Sequence, residues 1–127
     1  MDSIIKVRGM VVRGDGRGRQ IGFPTANIDF VDEKKLDLEL GVYAAITWID
    51  GHVYKSAAHI GPASTFGKKS ITFEVFILDF DEDIYDQTID VELVKKIRGT
   101  VKFDSVADLI SQMNKDVESA RIILKTN

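Results

Sequence analysis

The chain has 127 residues, no cysteine, and a formal net charge of -3 from 17 basic and 20 acidic residues. That excludes a disulfide framework and a cysteine-based zinc site, and it leaves no basic excess of the kind that phosphate-driven nucleic-acid binding draws on. Hydrophobic residues make up 44%, enough for a real core, and no apolar run approaches the ~20 residues of a membrane span. The expectation is one domain over residues 1–127, cytoplasmic and monomeric, with neither nucleic acid nor a membrane as partner. Basic residues cluster at Arg13–Arg19 and Lys68–Lys69, which suits a small phosphorylated ligand better than a duplex.

The first run, "IIKVRGMVV" from Ile4 to Val12, is rich in β-branched residues and predicts a strand. "GRGRQIGFPTAN" follows, from Gly16 to Asn27. It fits neither G-x-x-x-x-G-K-[ST] nor G-x-G-x-x-G. Its physical content survives both rejections. Gly16, Gly18 and Gly22 let backbone N–H groups approach an anion, and Pro24 stiffens the segment. Residues two apart in an extended segment point the same way, so Thr25 and Asn27 can present two neutral oxygens side by side. Such oxygens suit a hard cation such as Mg2+, which also takes waters and substrate phosphate oxygens. A solvent loop with a Pro-Thr turn fits the same residues, and both readings stand open on the residues alone.

"ANIDF" predicts a short strand. "VYAAITWI" and "HVYKSAAHI" flank Asp50-Gly51, a strong signal for a hairpin with a two-residue type I′ turn. Trp48 is expected in the core or at a barrel rim. His52 and His59 stand an odd number of residues apart, on opposite strand faces, and read as structural or surface residues rather than metal ligands. "ITFEVFILDF", Ile71–Phe80, predicts a strand apolar on both faces. Glu74 within it shares a face with Phe76, Leu78 and Phe80. A carboxylate there is costly unless paired or functional, and it could act as a general base toward a hydroxyl. A Glu at an edge or rim, facing solvent, is the other reading.

The acidic stretch "DFDEDIYD" reads as a solvated turn, because it lacks the EF-hand order. In "TIDVELVKKI", Ile89, Val91, Leu93 and Ile97 alternate with Asp90, Glu92 and Lys96, predicting a half-buried strand. Val106, Leu109, Ile110, Met113, Val117, Ala120 and Leu124 then fall at helical spacing, with Asp104 or Ser105 as N-cap. Five or six β runs and one helix predict an antiparallel barrel or sandwich with the helix packed on it.

At "GFPTAN" the chain resembles the riboflavin kinase (flavokinase) family. Further segments follow in that family's order: "GVYAA" at Gly41–Ala45, "IGPASTF" at Ile60–Phe66, "FEVFILDFDEDIYD" at Phe73–Asp86 and "IRGTVKFDSVADLISQMNKD" at Ile97–Asp116. The resemblance implies a mainly β fold, a six-stranded antiparallel Greek-key β-barrel with one C-terminal α-helix. It implies transfer of the γ-phosphate of ATP to the 5′-hydroxyl of riboflavin, giving FMN, with Mg2+ or Zn2+. By motif match, Thr25 and Asn27 would contact the metal and ATP phosphates, and Gly16, Gly18, Arg19, Gly22 and Pro24 would belong to the nucleotide site. Glu74 would be the catalytic base, and Arg98 and Phe103 would lie near the flavin. A chain without the nucleotidyltransferase domain of the bifunctional members is expected to make FMN and not FAD.

The sequence also departs from the family pattern. Phe76 stands where His is common, Ser64-Thr65 where Pro-Thr is usual, His59 where Asn often precedes "IG", and Gly99-Thr100 where an acidic residue often follows the Arg. These departures motivate an alternative, a non-catalytic flavin- or nucleotide-binding barrel with a regulatory or interaction role.

Overall fold

The computed structural model describes residues 5–12, 25–30, 39–65 and 68–125. Six strands and a helix account for most of them: β1 (Ile5–Val12), β2 (Ala26–Phe30), β3 (Gly41–Ile49), β4 (His52–Thr65), β5 (Lys68–Ile77), β6 (Thr88–Arg98) and α1 (Val106–Ile123). The strands close an antiparallel barrel in the order β1-β2-β5-β4-β3-β6. β3, β4 and β5 form a meander, and β2 lies beside β5, which is a Greek-key arrangement.

Period-two alternation decides which side chains go inside. Val7 and Val11 of β1, Tyr43 and Ala45 of β3, Ala58 and Ile60 of β4, Phe73 and Val75 of β5, and Val91 and Leu93 of β6 form the interior cluster. One polar pair lies inside with them: the hydroxyls of Thr47 and Ser56, both fully buried, are 2.7 Å apart and satisfy each other. The β3–β4 turn is as the sequence predicts. Asp50 and Gly51 both have positive φ, 49° and 81°, which is what a type I′ turn demands.

Four expectations need correction. β5 ends at Ile77 rather than Phe80, because Asp79 turns the chain with φ 58°. Trp48 is half-buried on the outer face, where the Lys6 ammonium lies 4.5 Å from its ring centroid, because Thr47 and Ile49 take the inward positions of β3. Ile97 leaves the face of Leu93. The β3–β6 register slips twice, between Val42 and Tyr43 and between Ala44 and Ala45, and each slip inserts an extra β6 residue. Val94 and Ile97 thereby turn outward against the helix. Val106, finally, is 59% exposed, since it stands one residue past the N-cap, at the opposite end of the helix from the Ala120–Leu124 contacts.

The helix packs on the outer face of the barrel through Ala120 and Leu124 against Ala44 and Ala57. Small residues on both sides bring it close to the sheet. Its start is capped by Ser105, whose Oγ accepts from the Asp108 backbone N–H at 3.1 Å. Two ion pairs fasten its length. Asp116 takes both Nε and Nη2 of Arg98, at 2.8 and 2.7 Å, and Arg121 makes a two-pronged bond to Asp79 at 3.1 Å.

Candidate functional site

The register of the barrel assembles the site. Across adjacent strands, Val12 pairs with Asn27, Asn27 with Glu74, Glu74 with His59, His59 with Val42, and Val42 with Arg98. These six residues form one rung around the barrel. Directly opposed residues share a face, and here it is the outer one, since Ile28, Val75, Ile60 and Tyr43 on the neighbouring positions are in the core.

Glu74 is therefore not inside the barrel, despite its apolar strand. Its side chain is 29% exposed. The Thr25 hydroxyl donates to Glu74 Oε1 at 3.2 Å, and His59 Nδ1 lies 3.6 Å from Glu74 Oε2. Thr25 immediately precedes β2, and Asn27 is the direct partner of Glu74 in the ladder. The barrel thus gathers Thr25, Asn27 and Glu74, 49 positions apart in the chain for the Thr25–Glu74 bond, onto one patch. Leu78 and Phe80 do not share it. Leu78 is buried beyond the end of β5, and Phe80 packs edge-on against Tyr54 with ring centroids 4.9 Å apart.

Beside Thr25 opens a cavity of about 280 Å3, walled by Val11 and Val75 on the strands and by Phe80, Asp83, Ile84 and Tyr85. Sequence reasoning took this last segment for a solvated turn. Asp81, Glu82 and Asp83 are exposed as expected, but Ile84 is buried and Phe80 and Tyr85 pack on the core. The aromatic residues spaced through the acidic run were the available signal. Thr25 belongs to both places: it lines the cavity and bonds the carboxylate.

Arg98 and Phe103 come together as a second group. The guanidinium carbon lies 5.8 Å from the Phe103 ring centroid. Arg98 Nη1 donates to its neighbour Gly99 O at 3.0 Å, while Nε and Nη2 are held by Asp116. Arg98 is thus an anchor for the helix. On the rung it stands three strands from Glu74, on the opposite side of the six-stranded barrel. Gly16, Gly18, Arg19, Gly22 and Pro24 lie outside the described residues.

His59 is the residue that sequence reasoning undervalued. Its role follows from hairpin register. β4 and β5 pair from Thr65–Lys68 without a slip, which brings His59 opposite Glu74. Among the described residues no group of three or more His, Cys, Asp or Glu is placed to hold a metal ion. Any cation here would rest on neutral oxygens with a single carboxylate.

The chain matches a known family over nearly its whole length. The model for flavokinase, riboflavin kinase, matches residues 1–124, and the chain belongs to that family. It is 41% identical over 115 residues to the bifunctional riboflavin kinase/FMN adenylyltransferase of Listeria monocytogenes, covering 90% of this chain and 36% of that protein. Two solved structures share the fold. One, from Streptococcus pneumoniae and described as a macrolide-efflux protein, superposes with a TM-score of 0.85 at 41% identity, over 91% of this chain and 38% of that one. The other, riboflavin kinase from Trypanosoma brucei, gives 0.67 at 26% identity, over 95% of this chain and 80% of that one. The chain thus spans about a third of the length of its bifunctional relative. Among the described residues, no helix is long and apolar enough to cross a membrane.

Proposed function

We propose that this chain transfers the γ-phosphoryl group of ATP to the 5′-hydroxyl of riboflavin, giving FMN and ADP. The observation that carries the reading is the Thr25–Glu74 hydrogen bond, 3.2 Å, at the mouth of the cavity. It sets a base, a phosphate-side hydroxyl and a nucleotide-sized space next to one another.

In this reading Glu74 accepts the proton of the 5′-hydroxyl as that oxygen bonds to the γ-phosphorus. The bond from phosphorus to the β–γ bridging oxygen breaks, ADP leaves, and the proton stays on the carboxylate until solvent removes it. Phosphoryl transfer asks mainly for positioning and charge neutralisation, with little covalent work for the protein. The residues fit a divalent cation, Mg2+ or Zn2+. Thr25 offers a hydroxyl, Asn27 an amide oxygen, and Glu74 a carboxylate beside both. Mg2+ favours such a sparse oxygen set, completing its shell with water and substrate phosphates. When bound, the ion neutralises charge on the β- and γ-phosphates. That need is acute here, because Asp81, Glu82 and Asp83 surround the cavity and would repel a bare triphosphate.

The nucleotide role of Gly16, Gly18, Arg19, Gly22 and Pro24 rests on the motif. The flavin role of Arg98 and Phe103 likewise rests on the motif. A cysteine-free chain using ATP fits the cytoplasm, and the substrates call for no second subunit or nucleic acid.

The test is direct. With riboflavin, ATP and Mg2+ the protein yields FMN by chromatography, and a wild-type protein giving no FMN at saturating substrates overturns the proposal. Quenching of flavin fluorescence without FMN would instead mark a binding protein.

A further inference from the structure

His59 stands on the rung between Glu74 and Val42. Its imidazole is seated rather than loose. A β-carbon on Gly61, two residues along the same face, would come within 3.1 Å of His59 Cε1 and 3.2 Å of Thr72 Oγ1. The bare glycine is what leaves room for the ring beside Glu74. Thr72 in turn bonds the Gly61 carbonyl at 3.3 Å, closing that side of the seat.

The two carboxylate oxygens of Glu74 have separate neighbours: Thr25 Oγ1 at Oε1 and His59 Nδ1 at Oε2. At 3.6 Å the second contact is an ion-pair distance, and a small shift makes it a hydrogen bond. Catalytic hydrogen bonds often tighten only when substrate is bound. The surroundings leave Glu74 as the charged neighbour of His59 among the described residues. Val42 faces it from β3, and Thr72, Glu74 and Phe76 from β5. Beyond Val42, Arg98 is already committed to Asp116. On the far side of Glu74, Thr25 and Asn27 are neutral.

We propose that His59 is a positioning residue for Glu74, fixing the carboxylate through Nδ1. The proposal rests on the kinase reading above. The physical reason is geometry. An N–H on Nδ1 facing Oε2, with the Thr25 hydroxyl at Oε1, holds the carboxylate in one orientation. Asparagine at this position keeps a donor at the δ position.

The experiment compares steady-state kinetics of wild type, His59→Ala and His59→Asn with riboflavin, ATP and Mg2+. His59→Ala lowers kcat about tenfold, as loss of a supporting partner commonly does, with KM for both substrates little changed. His59→Asn restores most of that loss. A second readout needs no turnover: Glu74→Gln moves the imidazole NMR signals of His59 and leaves those of His52 in place. Unchanged kcat in His59→Ala, no recovery in His59→Asn, or a His59 signal indifferent to Glu74→Gln each overturn the proposal while the kinase reading stands. Absence of FMN from the wild type overturns the kinase reading, and this proposal with it.

Discussion

Among the described residues Glu74 owes its placement to a pairing two residues long, in which β2 meets β5 at Ala26–Val75 and Asn27–Glu74. If Glu74 is the base, its substitution affects chemistry and spares the fold. Glu74→Gln keeps the shape and the Thr25 contact but removes the proton acceptor. We expect kcat to fall on the order of 10²- to 10⁴-fold, the usual worth of a general base, with flavin binding by fluorescence quenching retained. Near-normal turnover would remove Glu74 from that role. Arg98 behaves in the opposite way. It and Asp116 are 19% and 7% exposed, bonded twice to each other, with Gln112 donating to Asp116 at 3.0 Å. Arg98→Ala leaves a buried carboxylate unpaired and should cost about 3 kcal/mol in urea unfolding. Arg98→Ala with Asp116→Ala should cost less than the two single changes together. The sequence singles out Thr25, Asn27 and Glu74 because their types suit oxygen ligation and proton transfer, and the fold brings them onto one patch. The partners that complete them, His59 for Glu74 and Asp116 for Arg98, depend on strand register and helix docking. No local pattern records either.

Elements were legible where a local rule governs them and illegible where packing overrides it. Asp50-Gly51 is of the first kind, a turn whose two positive φ values follow from the dipeptide. It lies seven residues from His59 along β4, remote from the site. Gly51→Ala meets no steric obstacle, since nothing lies within 4 Å of the added carbon. The cost is then conformational, about 1 kcal/mol for an L-residue in the left-handed region. Urea unfolding should show that loss with FMN formation unchanged, and a neutral result would mean that the turn relaxes to another type. The end of β6 is of the second kind. Alternation puts Ile97 with Leu93, yet two register slips turn Val94 and Ile97 outward to meet α1. The helix then needs fewer apolar contacts than its spacing suggests, since Arg98 of β6 holds its Asp116 and its own Arg121 holds Asp79. This leaves Val106 free to stand in solvent.

At the scale of the whole molecule, a closed barrel has no sheet edges but must be sealed by pairings distant in sequence, and the seams are unequal. β2–β5, which builds the site, is the shorter, while β1 and β6 pair over six residues from Ile5–Leu93 to Met10–Thr88. The candidate site lies at the shorter seam, while the longer seam holds the barrel shut. Directly across that longer seam, Arg8 pairs with Asp90, Nε to Oδ1 at 2.9 Å and Nη2 to Oδ2 at 3.2 Å. The hydrogen bond from Arg8 holds the Asp90 carboxyl below its ordinary value, against a smaller opposing effect of burial. A carboxyl depressed in the folded state adds stability above its unfolded value, and that stability is lost as pH falls through the folded one. The pair therefore contributes evenly from pH 8 down to pH 5, and its contribution begins to decline only below about pH 4. Urea midpoints for wild type and Asp90→Asn should differ at pH 7, by an amount that shrinks as pH falls below about 4. A difference that persists undiminished at pH 3 would show that Asp90 serves the seam by packing rather than by charge.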